Sequence, residues 1–327
     1  MEASKFATLS KRLIRILHPQ LFLPHKDKKN KPTKNKKEEE MAELFIKQAK
    51  QYAKTRPNYP QELFQFIASK TPTHDLVWDV GTGSGQAARS VSSLIYPPLF
   101  LSLNNVLIDA SFFQLAGIYK NVVGTDTSLK QLEFAPKLPN VRYQHTPPVM
   151  SMAELEQTLS TQSSVDLVTI AQAMHWFDLP AFYQQVKWAL KKPHGVIAAW
   201  CYTIPEVNDS VDSVFNPFYY VDSDPYWEPQ RKLVDDKYMS IDFPFEPVEG
   251  TDHTGPFNFV AEKLMDLDEY FTYLRSWSAY ETAKAKGVEL LRDDVIENFK
   301  RAWNEDGHGR KVVKFPVHLK IGKVGNV

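Results

Sequence analysis

The residues from Asp79 to Gly85, D-V-G-T-G-S-G, follow an apolar run and precede a helical pattern. Glycine lacks a Cβ, so Gly81, Gly83 and Gly85 allow the backbone to turn sharply and bring its N–H groups onto a ligand. The spacing is G-x-G-x-G. A dinucleotide-binding turn wants its third small residue at position 86, where this chain has Gln86. A phosphate loop ending in G-K-[ST] is absent as well. Asp79, two residues ahead of Gly81, would set a carboxylate in the same crevice and repel a diphosphate. The ligand this favours carries an ammonium or sulfonium group, and S-adenosylmethionine carries both. A plain glycine-rich strand-to-helix turn is the structural alternative.

Further groups with chemical potential stand elsewhere. His175 and Trp176 follow the apolar stretch 165–171 and would form the floor of an acceptor pocket, with His175 a hydrogen-bond donor or general base. The alternative is a capping histidine beside a core tryptophan packed on Phe177. Tyr52, Arg56 and Tyr59 lie in "QYAKTRPNYP", placed to close over a cofactor and, through Arg56, to bind an anionic acceptor. Their alternative is a helix end with a proline-bounded turn. Asp and His in "WNEDGHGRK" (303–311) read as a solvated hairpin or loop. No cluster has metal-ligand spacing, which argues against metal-dependent catechol chemistry. The one cysteine, Cys201, excludes an internal disulfide framework and fits a reducing compartment.

These residues need a scaffold, and alternation along the chain predicts one. Apolar, β-branched stretches at 76–80, 121–126, 141–145, 165–171 and 195–201 read as strands, with helical patterns between them, most clearly 179–191. That alternation predicts a parallel sheet covered on both faces. A helical pattern also begins at Met41, stops at Arg56-Pro57, and is followed by a helix opened by Pro60. Residues 203–256 are rich in Pro, Asp and aromatics and read as an irregular cap inserted after the fifth strand. "FNFVAEKLM", helices near 267–277 and 288–303, and an alternating strand in "KVVKFPVHLKI" complete the chain.

On these motifs the sequence resembles the class I S-adenosylmethionine-dependent methyltransferases. "VWDVGTGSG" is similar to their first motif, and "VVGTD", ending in Asp126, looks like the second-strand acid that holds the ribose hydroxyls. "VDLVTIAQAMHWFD" (165–178) resembles a narrower branch, the trans-aconitate methyltransferase-like enzymes and the plant proteins labelled embryo-abundant. The resemblance implies a Rossmann-like seven-stranded α/β sheet of order 3-2-1-4-5-7-6 and S-adenosylmethionine as cofactor. It implies contacts from Asp79, Gly81, Gly83, Gly85, Gln86 and Asp126, with backbone near Ala171 and Gln172 touching the methionine part. After the third strand, "VRYQHTPPVMS" lacks the acid that many relatives place near the adenine.

One spacing departs from this pattern. Asp126 lies 41 residues beyond Gly85, about twice the customary distance of roughly 20. Residues 91–114 account for the excess: 14 of these 24 residues are hydrophobic and one is charged. Val-Ser and Phe-Phe-Gln at the two ends can be encoded by splice-donor and splice-acceptor sequences. Removing the segment joins Ser90 to Leu115 and restores a spacing of 17. The segment is read as a retained intron, or else as a genuine lid or partner-binding loop.

The formal charge is zero but uneven, +6 over residues 1–40 and −6 over the remainder. Residues 1–40 read as a disordered basic leader, or upstream sequence from an over-long gene reading, with a transit peptide or nuclear signal as alternatives. The mildly acidic body gives no reason to expect nucleic-acid binding. No segment has the roughly 18 apolar residues of a membrane span. The sequence thus describes a cytoplasmic methyltransferase domain over 41–327, monomer or homodimer, acting on a small molecule, a carboxylic acid among the candidates. A non-catalytic or degenerate binding protein remains as the alternative, together with an NAD(P)-dependent oxidoreductase, against which Gln86 argues.

Overall fold

The computed structural model describes residues 56–89 and 115–325. The helical pattern from Met41, Tyr52, the leader 1–40 and the segment 91–114 lie outside the described residues.

Five strands run parallel: β1 (Leu76–Val80), β2 (Asn121–Asp126), β3 (Val141–His145), β4 (Leu167–Ala171) and β5 (Val196–Tyr202). They are joined by β7 (Arg310–Lys323), antiparallel to β5, and by β6 (Phe257–Asp266), antiparallel to β7, giving the order 3-2-1-4-5-7-6. Every residue of β5, V-I-A-A-W-C-Y, is buried, as a central strand covered on both faces requires. Successive side chains leave opposite faces of a strand. Accordingly Val77, Ala198 and Trp200 join one core cluster, whereas Trp78, Ile197, Ala199 and Cys201 join the other.

In chain order the helices are α1 (Gln61–Ser69), α2 (Gln86–Arg89), α3 (Leu115–Ile118), α4 (Leu129–Glu133), α5 (Met152–Leu159), α6 (Leu179–Ala189), α7 (Asp209–Pro217), α8 (Arg231–Asp235), α9 (Leu267–Arg275), α10 (Ser278–Ala285) and α11 (Asp293–Asn304). α6 begins with Pro180 in its first turn and buries Phe182, Tyr183, Val186 and Ala189, one helical stripe. α11 does the same with Val295, Phe299, Ala302 and Trp303.

Three differences from the sequence reading concern the second half. The pattern expected near 267–277 ends at Arg275, and a separate helix, α10, follows. The pattern near 288–303 begins only at Asp293. Segment 203–256 is less irregular than its composition suggests. It holds α7, a π-helical turn over Phe218–Asp222 and α8, because Phe215, Phe218 and Tyr219 pack onto Trp277. "WNEDGHGRK" takes the loop form of its reading, an exposed connection from α11 to β7 with Trp303 and Lys311 buried at its ends.

Candidate active site: two cavities with a common wall

Parallel strands bring their carboxyl ends to one edge, and the strand order reverses between β1 and β4, where α/β sheets open a crevice. A cavity of about 400 Å³ lies there. Gly81, Gly83, Gln86, Asp126, Ala171 and Gln172 line it, as does Tyr59. Thr146, Pro147, Pro148, Val149 and Met150, the stretch after β3, form a further wall without an acid.

The glycine turn works differently from the N–H cradle read from sequence. All three glycines have left-handed backbone, φ +65°, +59° and +74° at Gly81, Gly83 and Gly85, which side chains rarely adopt. Three N–H groups of the turn are committed within the protein. Thr82 N–H donates to the Thr125 carbonyl (3.0 Å), Gly85 N–H to the Thr82 carbonyl (2.9 Å), and Gly83 N–H to Asp126 Oδ2 (2.8 Å). Nor does Gly85 border the cavity: a Cβ there would stand 2.6 Å from the Tyr143 hydroxyl oxygen, so its small size serves packing. At Gly83 a Cβ would meet Gln131 Oε1 at 2.8 Å rather than open space.

Two carboxylates flank this turn in different settings. Asp126 ends β2, its Oδ1 accepting from Ser128 N–H at 2.8 Å and its Oδ2 from Gly83. Each oxygen keeps a second lone pair. Asp79, expected in the crevice, is fully buried beneath it. The β1–β4 register sets Thr169 beside Asp79, and Thr169 and Thr82 hydroxyls donate to its two oxygens at 2.7 and 2.5 Å. Burial is the main cause that pushes its carboxyl up to about 6; the two hydroxyl hydrogen bonds pull the other way and the Asp126 charge adds to the rise. Asp79 thus ties the turn to β4.

A second cavity of about 390 Å³ borders on Gln172 and Trp176, which line the first as well. Gln172 follows β4 in left-handed backbone, φ +56°, uncommon outside glycine. Its side chain is pinned to one residue of β5, accepting from Tyr202 N–H (2.8 Å) and donating to the Tyr202 carbonyl (3.3 Å). Trp176 is 53% exposed, not the core tryptophan of the alternative reading; Phe177 packs on Phe182 instead.

His175 is buried on this second cavity, its Nδ1 2.8 Å from the Tyr238 hydroxyl. Burial above all, with the Arg231 charge behind it, draws its imidazole down to about 4. It is neutral at pH 7 and a weak base. Arg56 lines the same cavity, donating to the Tyr202 hydroxyl (2.7 Å) and the Ser276 carbonyl (3.1 Å), with its guanidinium over Tyr273. Tyr59 belongs to the other cavity, edge-on to Trp200. The site read from sequence as one group is therefore divided, Arg56 and His175 on one side and Tyr59 on the other.

Sequence reading missed Tyr219, Trp227 and Arg231, which line the second cavity from the 203–256 segment, and Tyr273 and Trp277 across from them. No motif marks them. The available signal was the aromatic richness of 203–256.

No family model matches the chain. It is 31% identical over 281 residues to a Dictyostelium discoideum protein named as a methyltransferase, covering 84% of this chain and 92% of that one. It is 25% identical over 252 residues to a Saccharomyces cerevisiae protein named as an S-adenosylmethionine-dependent methyltransferase, covering 70% and 78%. Among solved structures, one from Anaeromyxobacter dehalogenans described as a type II methyltransferase superposes with a TM-score of 0.64 at 26% identity. It covers 83% of this chain and 99% of that one.

Proposed function

Because the chain belongs to the class I S-adenosylmethionine-dependent methyltransferases, we propose that its second cavity is the acceptor site and that the acceptor is a small organic molecule methylated on a carboxylate oxygen. Within the family, residues 165–178 support the trans-aconitate methyltransferase-like branch.

The first cavity suits the cofactor in size and chemistry. About 400 Å³ is within the roughly 300–1,000 Å³ of small-molecule sites. Asp126 would accept from the ribose hydroxyls, and Gly81, Gly83, Gln86, Ala171 and Gln172 would border the methionine part. The Pro147–Met150 wall would cover the adenine without an acidic contact. When bound, S-adenosylmethionine supplies a methyl group already activated by its sulfonium. The protein's task is then alignment. Gln172 and Trp176, on the wall common to both cavities, would set acceptor against methyl donor, and Arg56 and Tyr59 would enclose the pair.

The observation that carries the carboxylate reading is the setting of His175 beside that wall: it is buried, its Nδ1 is engaged with the Tyr238 hydroxyl at 2.8 Å, and burial makes it a weak base. A phenol or carbon acid needs its proton removed, whereas a carboxylate arrives ionised. Its oxygen forms a bond to the methyl carbon as the carbon–sulfur bond breaks, giving an ester and S-adenosylhomocysteine with no proton to place. His175 would then hydrogen-bond the acceptor rather than deprotonate it. A panel of acids and phenols incubated with protein and methyl-labelled S-adenosylmethionine tests this. Label should enter acids and be released by mild alkali as methanol; label entering phenols alone would refute the assignment.

A further inference from the structure

The second cavity has an unusual balance of charge. Its carboxylates, Glu228 and Glu281, belong to exposed residues, whereas its cations are held inward on aromatic rings. The Arg231 guanidinium lies over Trp227 at 4.8 Å and over Tyr219 at 5.6 Å. Only Nε of Arg231 is spoken for: it donates to the Tyr219 hydroxyl at 2.8 Å and to Asp235 Oδ1 at 3.1 Å. The two terminal nitrogens, the prongs of the fork that matches a carboxylate, have no hydrogen-bond partner among the described residues. Trp227 adds a second unmet donor. Its indole nitrogen is buried and reaches no acceptor, although a buried N–H ordinarily has one.

We propose that Arg231 and Trp227 together form an anion clamp that selects acceptors bearing a carboxylate on a planar, conjugated frame. The proposal rests on the reading of this cavity as the acceptor site. The fork supplies two parallel N–H donors, the indole a third, and Tyr219, Trp227, Tyr273 and Trp277 supply flat surfaces. An aromatic box can also hold a cationic ligand. Here two of its faces already carry guanidinium groups, Arg231 over Trp227 and Arg56 over Tyr273, so a cationic acceptor would meet like charge. Asp235 and Tyr219 fix the Nε edge of Arg231 and leave the fork its orientation. Both clamp residues come from the connection between β5 and β6, while the cofactor cavity is built on β1, β2 and β4. Acceptor choice and cofactor binding therefore sit on separate segments.

Calorimetric titration of the S-adenosylhomocysteine-saturated protein with sodium cinnamate and with cinnamamide, its neutral counterpart, tests the clamp. Cinnamate should bind at least tenfold more tightly. Arg231→Gln should bring the two ligands to within about twofold, Arg231→Lys should keep part of the preference, and Trp227→Phe should weaken cinnamate while sparing the amide. Equal binding of acid and amide to the unaltered protein, no binding of either, a preference for phenethylammonium, or a preference that survives Arg231→Gln would each overturn the proposal. S-adenosylhomocysteine affinity, measured first on every protein, keeps the outcomes apart. Its absence in the unaltered chain would count against the methyltransferase site, and its persistence beside a missing acid preference would count against the clamp alone.

Discussion

Asp79 and Asp126 are neighbouring carboxylates with opposite duties. Asp126 faces the cavity and also fastens the turn through Gly83 and Ser128 N–H. Replacing it with alanine removes charge-assisted hydrogen bonds of about 1.5–3 kcal/mol each, less than additively. Asp126→Ala should weaken S-adenosylmethionine binding by roughly 2–4 kcal/mol, about 30-fold or more, and titration calorimetry would show it; affinity unchanged within twofold would remove Asp126 from the site. Asp79 is read through pH instead. Its carboxyl, ordinarily at 3.8, stands at about 6 in the folded protein. The folded state therefore holds this proton more firmly than the unfolded one. The resulting stabilisation is complete below about pH 4 and is lost as pH rises through 6. That interval corresponds to roughly 3 kcal/mol. The unfolding free energy of the parent relative to Asp79→Asn, from urea titrations, should fall by a few kcal/mol between pH 4 and 7. A flat or rising difference would contradict the buried placement.

Among the elements, strand positions were legible because each carries a short apolar, β-branched run between breaks. β1, β2 and β3 fall on the expected residues, and β4 and β5 within two. The helices after β6 were less so, since amphipathic spacing continues across Ser276–Trp277, and only the chain turning there divides α9 from α10. Of the site, the turn and Asp126 could be read because a local motif spells them. The clamp residues could not, as long-range packing of 203–256 against α9 and α10 brings them together. The reason given for Asp79 was wrong in placement: the β1–β4 register, invisible in one strand, buries it against Thr169. Helices α2 and α3, on either side of 91–114, lie against each other, and Ala87, Ala88, Leu115 and Tyr119 share one core cluster. Joined directly they would continue as one crossover helix into β2. Deleting 91–114 should raise soluble yield and tighten S-adenosylmethionine binding at least tenfold, about 1.4 kcal/mol. Lost binding on deletion would show that the segment belongs to the working enzyme.

At the scale of the whole molecule, a parallel half provides the cofactor cavity and the segments around antiparallel β6 and β7 provide the wall for the acceptor. No helix among the described residues is long and apolar enough to cross a membrane. The N–H groups of Thr82, Gly85 and Gly83 are committed to Thr125, Thr82 and Asp126, which leaves fewer loop donors for a diphosphate. The most direct measurement is therefore a pair of calorimetric titrations of the full chain, with S-adenosylhomocysteine and with NADH. The account predicts one S-adenosylhomocysteine site per chain with a Kd of about micromolar order and no heat from NADH. Saturable binding of NADH, or none of S-adenosylhomocysteine to a cooperatively folded protein, would contradict it.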